Sequence, residues 1–167
     1  MPHASAPLSL KLGSKMEFGT WSTLFEAGKV WLVDLSWGTK EWTLEKSDGK
    51  TYKIMGNESH KNNDLIARVF HEDTESLYEI SYEQVNGYRC LDEHGLTEIW
   101  SSNHPTKNTF KVKNHGWHKE SPLTFFMGNP DEWSHLLITD DECLEVICQS
   151  TPQIKLIKKI SSDGNAT

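Results

Sequence analysis

The chain lacks long apolar runs: those it has, such as Leu123–Met127 and Leu136–Ile138, are a few residues. A membrane-spanning helix needs about 20, so none is expected. Cysteine is scarce and odd in number, at Cys90, Cys143 and Cys148. That excludes a disulfide framework. Cys143 and Cys148 are five residues apart, which on a strand puts them on opposite faces. Both read as reduced, buried thiols. Alanine is rare, at five residues, which weakens any expectation of long helices. There is no Gly-x-Ser-x-Gly elbow, no Gly-rich phosphate loop and no dinucleotide fingerprint. The common routes to serine hydrolysis, nucleotide binding and hydride transfer are therefore not signalled. The N-terminal segment has no basic stretch followed by a continuous apolar core, so it does not read as a secretory signal. A cytoplasmic protein is the expectation.

Basic charge is in deficit. Seventeen Lys and Arg stand against 24 Asp and Glu in 167 residues, a net charge of −7 with His neutral. Phosphate recognition needs clustered cations, so no nucleic acid is expected as a partner. The one Lys cluster, Lys155, Lys158 and Lys159, interleaves with Ile154, Leu156, Ile157 and Ile160 and reads as an element with one wet face.

What is present favours strands. Val, Ile, Thr, Tyr, Phe and Trp together number 45, and seven of these are Trp; such residues fit a pleated surface. In Lys29–Trp37 strict alternation sets Trp31, Val33, Leu35 and Trp37 on one face. Glu41–Ser47 and Thr51–Met55 flank Asp48-Gly49, a hairpin signal. Residues 64–71 suit a strand better than a helix. Leu77–Tyr82, Tyr88–Asp92 and Leu96–Trp100 follow, with turns expected at Asn86-Gly87 and His94-Gly95. Thr109–Lys113, Leu123–Met127, His135–Thr139, Leu144–Cys148 and Ile154–Ile160 complete the pattern. A short helix is expected over Ser22–Ala27, closed by Gly28. The fold class is therefore all-β: a single antiparallel barrel or sandwich of about ten strands, with at most one or two short helices. The domain runs over 16–160, with a flexible leader at 1–15 and a tail at 161–167.

Candidate sites are few. Trp21, Trp31, Trp37, Trp42 and Trp100 read as core. Trp117 and Trp133 lie in polar stretches, HGWHKES and NPDEWSH, where a large aromatic is a candidate ligand or partner contact. His115 and His118 stand at i and i+3, with Glu120 close behind and His104 and His135 further off. In a loop, imidazoles and carboxylates can converge on Zn, Fe or Mn, although the His-x-His pair of a cupin-like barrel is missing. Asp140-Asp141-Glu142 lacks the ligand spacing of a calcium loop, and Asp92-Glu93-His94 reads as a turn. Two function classes stay open at this level. The first is a non-catalytic binding protein for a protein partner or a small apolar ligand, with Trp117 and Trp133 as contacts and no cofactor. The second is a small metal-dependent barrel enzyme using His104, His115, His118 and His135.

Overall fold

The computed structural model describes residues 14–160; the expected tail, and the expected leader apart from its last two residues, lie outside them. In chain order the strands are β1 (Glu17–Thr20), β2 (Val30–Gly38), β3 (Glu41–Glu45), β4 (Thr51–Met55), β5 (Asp64–His71) and β6 (Ser76–Tyr82). There follow β7 (Val85–Asp92), a 3-10 turn at Glu93–Leu96 running into α1 (Thr97–Trp100), and β8 (Thr109–Lys113). The chain continues through α2 (Gly116–Glu120), α3 (Pro122–Gly128), β9 (Ser134–Ile138), β10 (Glu142–Cys148) and β11 (Gln153–Lys159).

The strands form three antiparallel sheets, ordered β1-β8-β9-β10-β7, β11-β6-β5-β2 and β3-β4. None closes into a barrel, so the sandwich alternative is the one realised. The five-stranded sheet is the middle layer. Leu137, Leu144, Val146 and Cys148 point to one side and share a core with Val30, Leu65, Ala67, Val69, Ile80 and Tyr82 of the four-stranded sheet. Phe110, Val112, Leu136 and Cys143 point to the other side and pack on Leu96 and Ile99 of the helical segment. Covering both faces explains why β10 (ECLEVIC) is buried along almost its whole length. It also places Cys143 and Cys148 on opposite faces, and no disulfide joins any of the three cysteines.

Several expectations are corrected. Three short helices occur among the described residues, one more than the upper limit expected. Leu96–Trp100 and Leu123–Met127 are helical rather than extended. In the first, Asp92 Oδ1 accepts from the His94 amide at 2.9 Å, which turns the chain inward. Leu96, Ile99 and Trp100 then meet the sheet at helical spacing. In the second, Pro122 opens the helix at a position that tolerates it. Gly128 ends it, where a Cβ would stand 2.5 Å from Ile147 and 2.8 Å from Asn86. The stretch around Trp117, expected as loop, is α2. No helix forms over 22–27; turns and bends run over 24–28. The chain reverses before β7 at Glu83-Gln84, where Gln84 has φ +52°, and Asn86-Gly87 lies inside the strand. A β-bulge between Leu32 and Asp34 shifts the register of β2. Leu32 and Leu35 therefore turn to the core and Val33 is 57% exposed, against the simple alternation.

Candidate functional site

Trp42 and Trp37 are not core residues: they are 61% and 54% exposed. Trp42 belongs to an arm made of β3 and β4. Its sequence alternates as a half-buried strand does, apolar at Trp42, Leu44, Tyr52 and Ile54. The register sets Trp42 beside Ile54 and Leu44 beside Tyr52 on one face. Such a face ordinarily packs on a core. Here it is open, with Leu44, Tyr52 and Ile54 at 50%, 45% and 47% exposure. Every residue of both strands is exposed. The opposite face is mostly polar, with Met55 its one apolar side chain, and carries the Lys53–Glu41 ion pair at 3.4 Å.

The base of the arm is held firmly. The Gly56 amide donates to the Lys40 carbonyl at 2.8 Å, Asn57 to Thr39 at 3.1 Å, and Lys40 to Lys61 at 3.0 Å. A Cβ at Gly56 would collide with the Thr39 carbonyl, so this crossing requires glycine. The loop 56–63 is then latched onto the outer face of β2 and β5. His60 Nε2 lies 2.8 Å from Ser36 Oγ, and His60 Nδ1 lies 3.6 Å from Asp64 Oδ1. Both Asp64 carboxylate oxygens accept from the Lys61 amide at 2.9 Å. The order of groups is that of an acyl-transfer triad. Three observations argue for a latch instead. The imidazole is 2% exposed. The His–Asp separation is too long for a hydrogen bond. Two surface depressions, one beside α1 and one beside Gly28 and Asp140, do not include these residues.

The six sequence-derived candidates are scattered. Trp117 is half-buried on α2, with Arg89 stacked 4.9 Å from its ring and Phe125 edge-on at 5.2 Å. Trp133 is half-buried beside β1, where its ring would touch a Cβ on Gly19 at 3.3 Å, and Lys113 Nζ sits 4.4 Å over it. His104 packs between Trp100 and Phe110. His118 stacks on Phe125 at 4.6 Å, accepts from the Asn114 amide through Nδ1, and approaches Glu132 at 3.3 Å. Burial is the main cause that holds its pKa below the usual histidine value. Of the four histidines only His115 and His118 come near one another, and with Trp117 they pack around Phe125. Among the described residues no three His, Cys, Asp or Glu side chains are grouped to hold a metal ion.

His115 belongs to a cluster that the sequence did not reveal. Glu145, on β10, is fully buried. Its carboxylate takes Arg89 Nη2 at 2.6 Å and Arg89 Nε at 2.8 Å, His115 Nε2 at 2.8 Å, and the Ser134 hydroxyl. Burial alone would raise this carboxyl. The His115 contact, the Arg89 charge and the Ser134 hydrogen bond outweigh it and hold the pKa below the ordinary value. The cluster ties the segment carrying α2 to the central sheet.

His135 lies between the sheets, edge-on to Trp21 at 5.1 Å and 3.6 Å from Cys148 Sγ. Burial, helped by Lys111, lowers the imidazole to about 4. Burial pushes the thiol up to about 12, with Lys111 opposing. The Cys148 thiol donates to the Ser150 carbonyl at 3.2 Å. Both groups are therefore neutral near pH 7, and a nucleophile needs the thiolate. The pair is a packing element.

Comparison with protein-family models, with curated proteins and with solved structures finds no match to this chain. The functional reading therefore rests on its own geometry. One depression, about 660 Å³, is an open groove beside α1 lined by His94, Thr97, Trp100, Ser101, Ile138 and Thr139. Trp100 is the one tryptophan in its lining, and the space between the two sheets is filled by core.

Trp117→Ala tests whether this ring is a free contact or part of the packing. A fully buried Trp costs about 3–5 kcal/mol on truncation. Half-burial against Phe125 and Arg89 sets the expected loss at about 2 kcal/mol, roughly 4–8 °C in melting temperature. A loss under about 0.5 kcal/mol would show that Phe125 and Arg89 gain nothing from the ring and that it is a free contact.

Proposed function

We propose that this protein is a non-catalytic binding protein that recognises a protein partner, with the β3–β4 arm as its docking element. The observation that carries this is the open apolar face of Trp42, Leu44, Tyr52 and Ile54 on a projecting hairpin. A two-stranded hairpin is marginal in water on its own, and contiguous exposed apolar surface marks interaction sites. Aromatic side chains at the centre of such a face are typical binding anchors. The latch of Ser36, His60 and Asp64 supports the reading, because fixing the base lowers the ordering cost of docking. Leu123, Phe126 and Met127, at 58%, 48% and 68% exposure, add a second apolar stripe on α3.

Parallel affinity capture from the native host with wild type and Trp42→Asp as bait tests the proposal. A partner retained by wild type should be lost with the variant. In titration with the purified partner, affinity should fall by at least about 30-fold, the size of a 2 kcal/mol hot spot. The melting temperature should move by only about 1–2 °C, because the position is exposed. Equal binding by the two baits would remove the arm from the interface.

A further inference from the structure

We infer that the occupant of the arm's apolar face is the same face of a second copy of this chain, joining two molecules arm to arm about a two-fold axis. This rests on the reading of the arm as a docking element and names what docks there.

Shape is the first argument. An isologous interface must be self-complementary. The apolar face is a two-by-two array, with Trp42 and Ile54 at the base and Leu44 and Tyr52 toward the tip. Lay a second arm over it, tip over base, with the axis running across the strands. Trp42 then lies over the second copy's Leu44, and Tyr52 over the second copy's Ile54. Each large ring meets a smaller aliphatic side chain, the alternation that packed layers need. Two marginal hairpins become a four-stranded, two-layer unit with its own small core.

Charge is the second argument. Residues 40–55 carry four Lys against three acidic side chains, leaving 13 Lys and Arg against 21 Asp and Glu in the rest of the chain. The arm is close to neutral on a strongly acidic molecule. A basic partner would be drawn to the body rather than the arm, and an acidic partner would be repelled by the body. Two arms can approach without that conflict. A five-residue strand spans about 17 Å, about twice the roughly 8 Å Debye length at physiological salt. Overlapping arms therefore keep the two acidic bodies beyond the range of most of their repulsion.

Area sets the strength. A buried aromatic covers roughly 150–250 Å², so Trp42, Tyr52 and the smaller Leu44 and Ile54, all near half exposure, offer at most about 400 Å² per copy. The total of at most about 800 Å² lies at the weak end for specific interfaces. A concentration-dependent dimer follows.

Sedimentation equilibrium of the full chain from about 5 to 500 µM, the range for a micromolar dimer, provides the test. The average mass should rise from 19.1 kDa toward twice that value. Leu44→Glu on the apolar face should raise the dissociation constant by at least about 30-fold. Thr43→Glu on the opposite face should leave it unchanged, and circular dichroism checks that both variants stay folded. A wild type that is monomeric throughout, or two variants that dissociate alike, would overturn the second-copy inference. If wild type is monomeric but Leu44→Glu abolishes capture of a different protein, the inference fails and the docking arm stands. If neither self-association nor capture responds to Leu44→Glu, both fail.

Discussion

Glu145→Ala should lower stability by about 3–5 kcal/mol, the cost of breaking a buried ion pair by removing one partner. For a domain of this size that is roughly 6–20 °C in melting temperature. Three groups lose this acceptor at once. His115 is fully buried, so its Nε2 is left uncompensated, while the buried Ser134 hydroxyl keeps the Val112 carbonyl at 3.1 Å as an acceptor. Arg89 retains a quarter of its side-chain exposure and can turn partly to water, which favours the lower half of the range. The damage should concentrate in the helical cap: amide exchange over 115–128 should accelerate more than over β5 and β6. Arg89→Met combined with Glu145→Met should cost less than Glu145→Ala, because no charge is left buried alone. The Glu145 pKa is held low, so its contribution is present above the ordinary carboxylate range and disappears as pH falls through the lowered value. A loss below about 1 kcal/mol in Glu145→Ala, with unchanged exchange over 115–128, would show that the cluster does not anchor the cap.

Acidification should destabilise the protein well before the carboxylates protonate, through His135. Its pKa falls from 6.5 to about 4 on folding, chiefly by burial. The unfolded chain therefore binds a proton between these values that the folded chain refuses, and stability drops as pH falls through that window. A shift of this size corresponds to about 3 kcal/mol. His135→Leu removes the titration and keeps an apolar contact for Trp21. The difference in unfolding free energy between wild type and His135→Leu should therefore change by about 3 kcal/mol between pH 7 and pH 4. His118 shifts in the same direction, which is why the difference between the two proteins, rather than the wild-type curve, is the measurement. Parallel curves would show that His135 is protonated or hydrated inside the fold. The two acid effects start at different pH: His135 acts from about pH 6.5 down to about 4, Glu145 only below the usual carboxylate value of 4.5.

The arm shows what could be read early. Asp48-Gly49 and the alternation of Trp42, Leu44, Tyr52 and Ile54 point to the hairpin, and Gly49 takes the left-handed φ of +80° that the turn demands. Yet Trp42 reads in sequence as core along with Trp21, Trp31, Trp37 and Trp100. Period two states that the two faces of a strand differ; it is silent on whether a second layer exists to cover the apolar one. Leu96, Ile99 and Trp100, and likewise Leu123, Phe126 and Met127, sit at i, i+3 and i+4, so a helical signal was present. In runs this short, period alone does not separate helix from strand, and Pro122 and Gly128 were the better markers. The bulge near Val33 had no local signature, and it turned a correct strand to the wrong face.

The candidate site was less legible. Trp117 and Trp133 were singled out for their polar neighbours in sequence, but both rings rest on cations brought from elsewhere, Arg89 and Lys113. Glu145 reads in sequence as one acid in an apolar strand, and Arg89 lies 56 positions away from it.

From its sequence alone this protein is determined to be strand-rich, without a helix long enough to span a bilayer, turned at Asp48-Gly49, and built with Cys143 and Cys148 on opposite faces. These follow from local sterics and from the two-residue period of extended chain, which act over a few residues. The tertiary structure decided which faces are covered, that the sheets stack instead of closing, and that Glu145, His115, Arg89 and Ser134 meet. Burial and polar pairing depend on groups far apart in sequence, because water is excluded only where layers come together. That is also why the open face of the arm became visible only once the rest of the chain had been packed without it.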